Sequence, residues 1–281
     1  MTLVVANGAR LNLKERGSGP PLLLLHGFTG TALTWEPFLD GWSEFRCLAV
    51  DMIGHGLSDA PADVRRYSPD RVVDDLMAVL DELSVRSAAV LGYSMGGRLA
   101  LNLALRAPEL VRAVILESTS PGIEDADDRE ARIGKDEELA MRIKTEGIVR
   151  FVDDWTNQPI FSSQSTLPSP TRTKLRQQRL RNDPRGLANC LRGLGLGHQR
   201  PLWSRLDSVS APVLLLAGAL DRKYCQLGQK MADAFPRAKL EIVPEAGHAV
   251  HLEQPGSFSA IVSKFLREHL ADQNGGLQDG N

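Results

Sequence analysis

Ser94 lies in Gly92-Tyr93-Ser94-Met95-Gly96-Gly97, between an apolar run at 88–91 and a stretch of helical spacing at 95–106. A serine in G-x-S-x-G at a strand-to-helix turn has its hydroxyl lifted clear of the sheet, and the tight turn leaves room only for small flanking residues. The helix N-terminus favours negative charge developing there. A serine hydroxyl is a poor nucleophile and a poor base near neutral pH, so it needs a partner. His248, in Glu245-Ala246-Gly247-His248, follows the last strand candidate, and Asp221 follows the apolar run at 213–216 and its glycine. Both fall on loops at the edge of the sheet where Ser94 emerges. Singly, each reads equally well as a helix cap or a surface polar residue. Together, in the order Ser…Asp…His, they read as a proton relay in which Asp221 fixes the His248 tautomer and stabilises the imidazolium. Glu117, ending another strand candidate, is the rival acid, and the reading favours Asp221.

His26-Gly27-Phe28-Thr29-Gly30 follows a strand candidate at 22–25. Such a loop can aim a backbone N–H at a developing oxyanion, and the Phe28 and Met95 amides are the expected donors. His26 reads as a structural residue that holds the loop by hydrogen bonds. His55, in Asp51-Met52-Ile53-Gly54-His55-Gly56, reads as a buried loop organiser.

Between Trp155 and Arg205 stand Arg172, Arg176, Arg179, Arg181, Arg185, Arg192, Arg200 and Arg205 with Lys174, against a single acid, Asp183. Most read as a solvated helix face. A lid closing over the active edge would nonetheless bring a few of them to the pocket, where the planar guanidinium fork suits carboxylate or phosphate. Arg98, one helical turn after Ser94, adds to this bias. Ester-hydrolase pockets are mostly apolar, so the arginines point to a multiply anionic substrate.

These residues need a scaffold that sends strand ends to one edge. Apolar runs at 22–25, 47–50, 88–91, 113–116 and 213–216 have strand length and read as strands buried on both faces. The run at 240–243 alternates and suits an edge. Asn7-Gly8 between apolar runs signals a hairpin. Helical faces fall at 69–83, 95–106, 226–235 and 255–270. The alternation predicts an α/β fold with a mostly parallel, doubly wound sheet of about eight strands. From 119 to 205 no strand signal appears. The division expected is therefore a core from 1–118 and 206–270, a helical cap inserted at 119–205, and a disordered tail at 271–281.

The chain has 281 residues, 42% hydrophobic and 24% charged, with a net charge of −2. That balance argues against a nucleic-acid binder. Cys47, Cys190 and Cys225 cannot all pair within the chain and match no metal spacing, which suits packed thiols in a reducing compartment. No signal peptide and no bilayer-spanning run is legible. The expectation is a cytoplasmic protein without a metal, neither binding nucleic acid nor inserting in membrane, as a monomer or small homo-oligomer.

The motifs together resemble the 2-succinyl-6-hydroxy-2,4-cyclohexadiene-1-carboxylate synthases of menaquinone and phylloquinone biosynthesis, a branch of the α/β-hydrolase-fold superfamily. The more specific matches are Arg98, Ser120-Pro121-Gly122, the segment from Trp155 to Phe161, and Asp221-Arg222-Lys223. The resemblance implies a carbon–oxygen lyase with no cofactor. Such an enzyme removes pyruvate from 2-succinyl-5-enolpyruvyl-6-hydroxy-3-cyclohexene-1-carboxylate by triad-assisted proton abstraction and elimination, and the substrate's carboxylates fit the arginine bias. It further implies that Arg98, Arg132, Arg179 and Lys223 bind substrate and that Tyr93 and Trp155 line the site. Thr156 stands where other members often carry tyrosine, so no tyrosyl contact is expected from that position. Two rival readings use the same fold: a serine hydrolase of an ester or C–C bond, and a non-catalytic binding protein.

Overall fold

The computed structural model describes residues 2–270, so the tail expected to be disordered lies outside the described residues. Eight strands form one sheet in the order β1-β2-β4-β3-β5-β6-β7-β8. β1 (Thr2–Ala6) and β2 (Ala9–Arg16) make the hairpin signalled by Asn7-Gly8, whose φ angles of 48° and 80° suit a two-residue hairpin turn. β2 pairs antiparallel with β4 (Arg46–Val50). β3 (Pro21–Leu25), β4, β5 (Ala88–Tyr93), β6 (Val111–Glu117), β7 (Val213–Gly218) and β8 (Ala238–Val243) run parallel. Each apolar run thus becomes a strand, and the alternating one, β8, takes the edge.

The helices in chain order are α1 (Glu36–Leu39), α2 (Pro69–Glu82), α3 (Met95–Arg106), α4 (Ala126–Thr156), α5 (Ser169–Leu180), α6 (Pro184–Leu194), α7 (Arg222–Ala234), α8 (Val250–Glu253) and α9 (Pro255–Leu270). Successive strand residues point to opposite faces. Leu23, Leu25, Leu48, Val50, Val90 and Leu116 therefore pack against α2, α3 and α7. Leu22, Leu24, Ala49, Leu91 and Ile115 pack against Trp35, Trp42, α1 and α9. Continuous apolar strands were the sign of this two-sided burial.

One expectation shifts, and one short helix goes unsignalled. The helix expected from 226 begins at Arg222, because the Asp221 carboxylate accepts from the Tyr224 N–H (3.3 Å) and caps it. Its charged first turn carries no apolar face to signal it. α1, only four residues long, is too short for periodicity to register.

Between β6 and β7 lie α4, α5 and α6 with no strand among them. α4 breaks at Gly147 (φ 81°, ψ 167°). Ala140, Ile143, Phe151 and Val152 of α4 form a small core of their own with Leu187, Ala188 and Leu191 of α6. Cys47 and Cys190 are buried, their thiols pushed up to about 12 by desolvation, and Cys225 is half-buried. Among the described residues no helix is long and apolar enough to cross a membrane.

Candidate active site

Ser94 joins β5 to α3 with φ 51° and ψ −106°. A non-glycine residue in that region carries backbone strain that its surroundings must hold. They do so from two sides: the Ser94 N–H donates to the Glu117 carbonyl at 2.8 Å, and the Thr119 hydroxyl donates to the Ser94 carbonyl at 2.7 Å. A Cβ on Gly92 would collide with the Gly96 backbone, and one on Gly96 with the Leu25 carbonyl. The two glycines of the motif are thus required by close approach of β5, α3 and β3.

His248 and Asp221 arrive on the loops that follow β8 and β7. The His248 Nδ1–H donates to Asp221 Oδ2 at 2.8 Å, which leaves Nε2 to accept from the Ser94 hydroxyl at 3.2 Å. His248 is 3% exposed, so little water competes for either bond. Glu117, the rival acid, is fully buried and engaged elsewhere: its Oε1 accepts from the His251 backbone N–H (3.0 Å) and from its Nδ1 (2.9 Å).

The Met95 amide is the first of α3 and has no intrahelical acceptor. The Phe28 N–H finds no acceptor among the described residues. Both residues line the cavity that holds Ser94 and His248. The loop carrying Phe28 is set by His26, whose Nδ1–H donates to the Gly27 carbonyl (2.8 Å) while Nε2 accepts from the Met52 N–H (3.0 Å). His55 packs against His26 with ring centroids 5.0 Å apart. Burial depresses both, His26 to about 4 and His55 to about 3. A folded-state value below the ordinary imidazole value means that unfolding takes up protons as pH falls, so this stability is complete above pH 6.5 and is lost in acid. Denaturant titrations at pH 7.5 and pH 5.0 are expected to show each imidazole costing about 2 kcal/mol at the lower pH. An unchanged unfolding midpoint would contradict the neutral buried pair.

The triad cavity measures about 130 Å³. Arg98 enters it 9% exposed, donating to Gln199 Oε1 at 3.3 Å and meeting no carboxylate among the described residues. Desolvation brings Arg98 down to about 10, still charged at neutral pH. Arg132 also lines the cavity, tied to Asp136 at 2.9 Å. Tyr93 and Trp155 line it as well, and the Trp155 indole Nε1 is buried with no hydrogen-bond partner among the described residues. The remaining two basic residues fall elsewhere. Arg179, 5% exposed, faces neighbouring cavities and donates to the Thr156 hydroxyl at 2.8 Å. Lys223 is outside the lining, since the first turn of α7 directs it along the Tyr224 ring (5.8 Å) towards solvent. Most of the other arginines between 155 and 205 are surface residues; Arg176 pairs with Asp153 and Arg192 with Glu137.

Three contributors escaped the sequence reading. Tyr224 lies 4.7 Å from the His248 ring, and Phe161 lies 6.0 Å from it. Gln199 anchors Arg98 from a loop 101 residues away. Tyr224 was findable from the capping position of Asp221 three residues earlier. Gln199 had no local signal.

The elbow serine, the strand order and the inserted helices define an enzyme of the α/β-hydrolase class, and the model of the alpha/beta hydrolase fold family matches residues 20–255. The chain is 43% identical over 269 residues to a putative 2-succinyl-6-hydroxy-2,4-cyclohexadiene-1-carboxylate synthase of Bacillus subtilis, spanning 95% of this chain and 98% of that protein. It is 34% identical to the synthase of that name from Serratia proteamaculans, over 88% of this chain and 93% of that one. The solved structure of MenH from S. aureus superposes with a TM-score of 0.88 at 33% identity, covering 92% of this chain and 98% of that one. The chain belongs to the 2-succinyl-6-hydroxy-2,4-cyclohexadiene-1-carboxylate synthase family of α/β-hydrolase-fold enzymes.

Proposed function

We infer that the protein is a lyase that eliminates pyruvate from 2-succinyl-5-enolpyruvyl-6-hydroxy-3-cyclohexene-1-carboxylate to give 2-succinyl-6-hydroxy-2,4-cyclohexadiene-1-carboxylate. The observation that carries this over ester hydrolysis is Arg98, a buried guanidinium in the triad cavity without a carboxylate partner among the described residues. A buried charge left unpaired is costly unless a ligand completes it. The names of the relatives agree with that ligand being a polycarboxylate.

In this reading Ser94 Oγ passes its proton to His248 Nε2 and takes the ring proton alpha to the succinyl carbonyl. The Phe28 and Met95 amides hold the enolate oxygen. The electron pair moves through the ring double bond and breaks the bond to the enolpyruvyl oxygen. Enolpyruvate leaves and takes up a proton as it becomes pyruvate, so no acyl-enzyme forms. Arg98 and Arg132 hold substrate carboxylates, Tyr93 and Trp155 wall the ring, and residues 119–205 act as the cap. Arg179 and Lys223, placed outside the triad cavity, take part only after the cap or α7 shifts. A cytoplasmic monomer or small homo-oligomer suits a diffusible anionic substrate.

Purified protein incubated with the enolpyruvyl substrate is expected to release pyruvate in step with the conjugated diene absorbance. Hydrolysis of simple esters with no diene formed would establish the hydrolase reading instead.

A further inference from the structure

Behind the triad cavity, across a partition made by Phe28, Tyr93 and Phe161, lies a larger cavity of about 360 Å³. Its walls come from the loop at 27–30, from α5 and from the region of α8. Two permanent cations line it, Arg179 and Lys174, and no Asp or Glu does. Lys174 stands at the mouth, 3.8 Å from Glu36 and largely exposed. Arg179 is deep: one of its nitrogens donates to Thr156, its guanidinium lies over the Phe161 ring 5.2 Å from the centroid, and the rest of the fork has no hydrogen-bond partner among the described residues. Gln164 is 5% exposed and its side-chain amide makes no hydrogen bond among the described residues, with Oε1 fully buried. His251 completes the inner wall with Nδ1 held by Glu117, leaving Nε2 uncommitted. Leu33, Leu175 and Leu252 supply apolar surface between these groups.

A cavity with buried cationic and amide donors, and no acid, is complementary to a small organic anion. We propose that this compartment is a second binding site for a short carboxylate, and that it receives the α-keto acid released next door. The identity of the carboxylate rests on the lyase reading; the anion site itself does not. Elimination leaves two products of unequal size beside Ser94. The three-carbon product fits behind the aromatic partition, where the Arg179 fork meets its carboxylate and the Gln164 amide, turned to donate, meets its keto oxygen. Tyr93 and Phe161, which face both cavities, form the door between them.

The test is direct titration of sodium pyruvate into the full chain by calorimetry, with three variants alongside. Leu175→Trp and Thr171→Trp fill the second cavity from α5, where both residues are half-buried and line it. Arg98→Ala alters only the triad cavity. Pyruvate is expected to bind the unsubstituted protein, to weaken by about tenfold or more in either tryptophan variant, and to stay within about twofold in Arg98→Ala. Melting temperatures of the two tryptophan variants, compared with the parent, show that the fold is kept, and loss of binding in both guards against a misfolded one. Binding that vanishes in Arg98→Ala yet survives both tryptophans would place pyruvate beside Ser94 and overturn the proposal, as would no binding at all. Absence of diene formation with the titration behaving as described would remove the lyase reading and leave the anion site standing.

Discussion

Ser94→Ala is expected to lower kcat for pyruvate elimination by about 10³-fold or more while KM stays within about threefold. The hydroxyl is the only atom removed, and the elbow is held by the Ser94 backbone through Glu117 and Thr119, so the cavity keeps its shape. What is lost is the link between His248 Nε2 and the ring proton. If the three hydrogen-bonded side chains act as one relay, the double variant Ser94→Ala/His248→Ala is expected to be no slower than the worse of the single variants. Steady-state assays of diene formation on the three proteins check both statements. A mass spectrum taken during turnover separates elimination from hydrolysis: an acyl adduct on Ser94 would mark a nucleophile, whereas elimination leaves the serine unmodified. Wild-type kcat in Ser94→Ala would remove Ser94 from the chemistry.

The fold was legible because burial on both faces leaves a plain mark. Each strand of the parallel core is an unbroken apolar run, and β8, at the edge, alternates. The triad positions were legible because Ser94, Asp221 and His248 each follow such a run, and a parallel sheet sends all its strand ends to one edge. Residues on the helices between β6 and β7 were harder. Their places depend on how α4, α5 and α6 pack on one another and on the core, and helical periodicity records which face is apolar, not where a long side chain ends. Arg98 was readable since it rides on α3 one turn from Ser94. Arg179 lies far from Ser94 in sequence, and only the packing shows that it faces the cavity behind Phe161. Lys223 lies two residues after Asp221 in sequence yet points away, because the helix that Asp221 caps turns its first residues outward.

Arg98→Ala is expected to reduce kcat/KM for the enolpyruvyl substrate by about 10²-fold, chiefly through KM, while folding stability changes by no more than about 1 kcal/mol. The two halves of this expectation have one cause. In the free protein Arg98 is buried, and among the described residues its one side-chain hydrogen bond is to the Gln199 amide oxygen, so its desolvation is barely offset and removing it costs the fold little. When a substrate carboxylate docks, the same desolvated charge meets its partner in a dry cavity, where a charge-assisted hydrogen bond is strong. Arg98→Lys keeps the charge but not the fork, and should recover only part of the loss. Turnover of a small neutral ester, if any is detectable, should be unaffected by either substitution. An unchanged kcat/KM in Arg98→Ala, or an equal loss on the neutral ester, would show that this guanidinium does not read substrate charge.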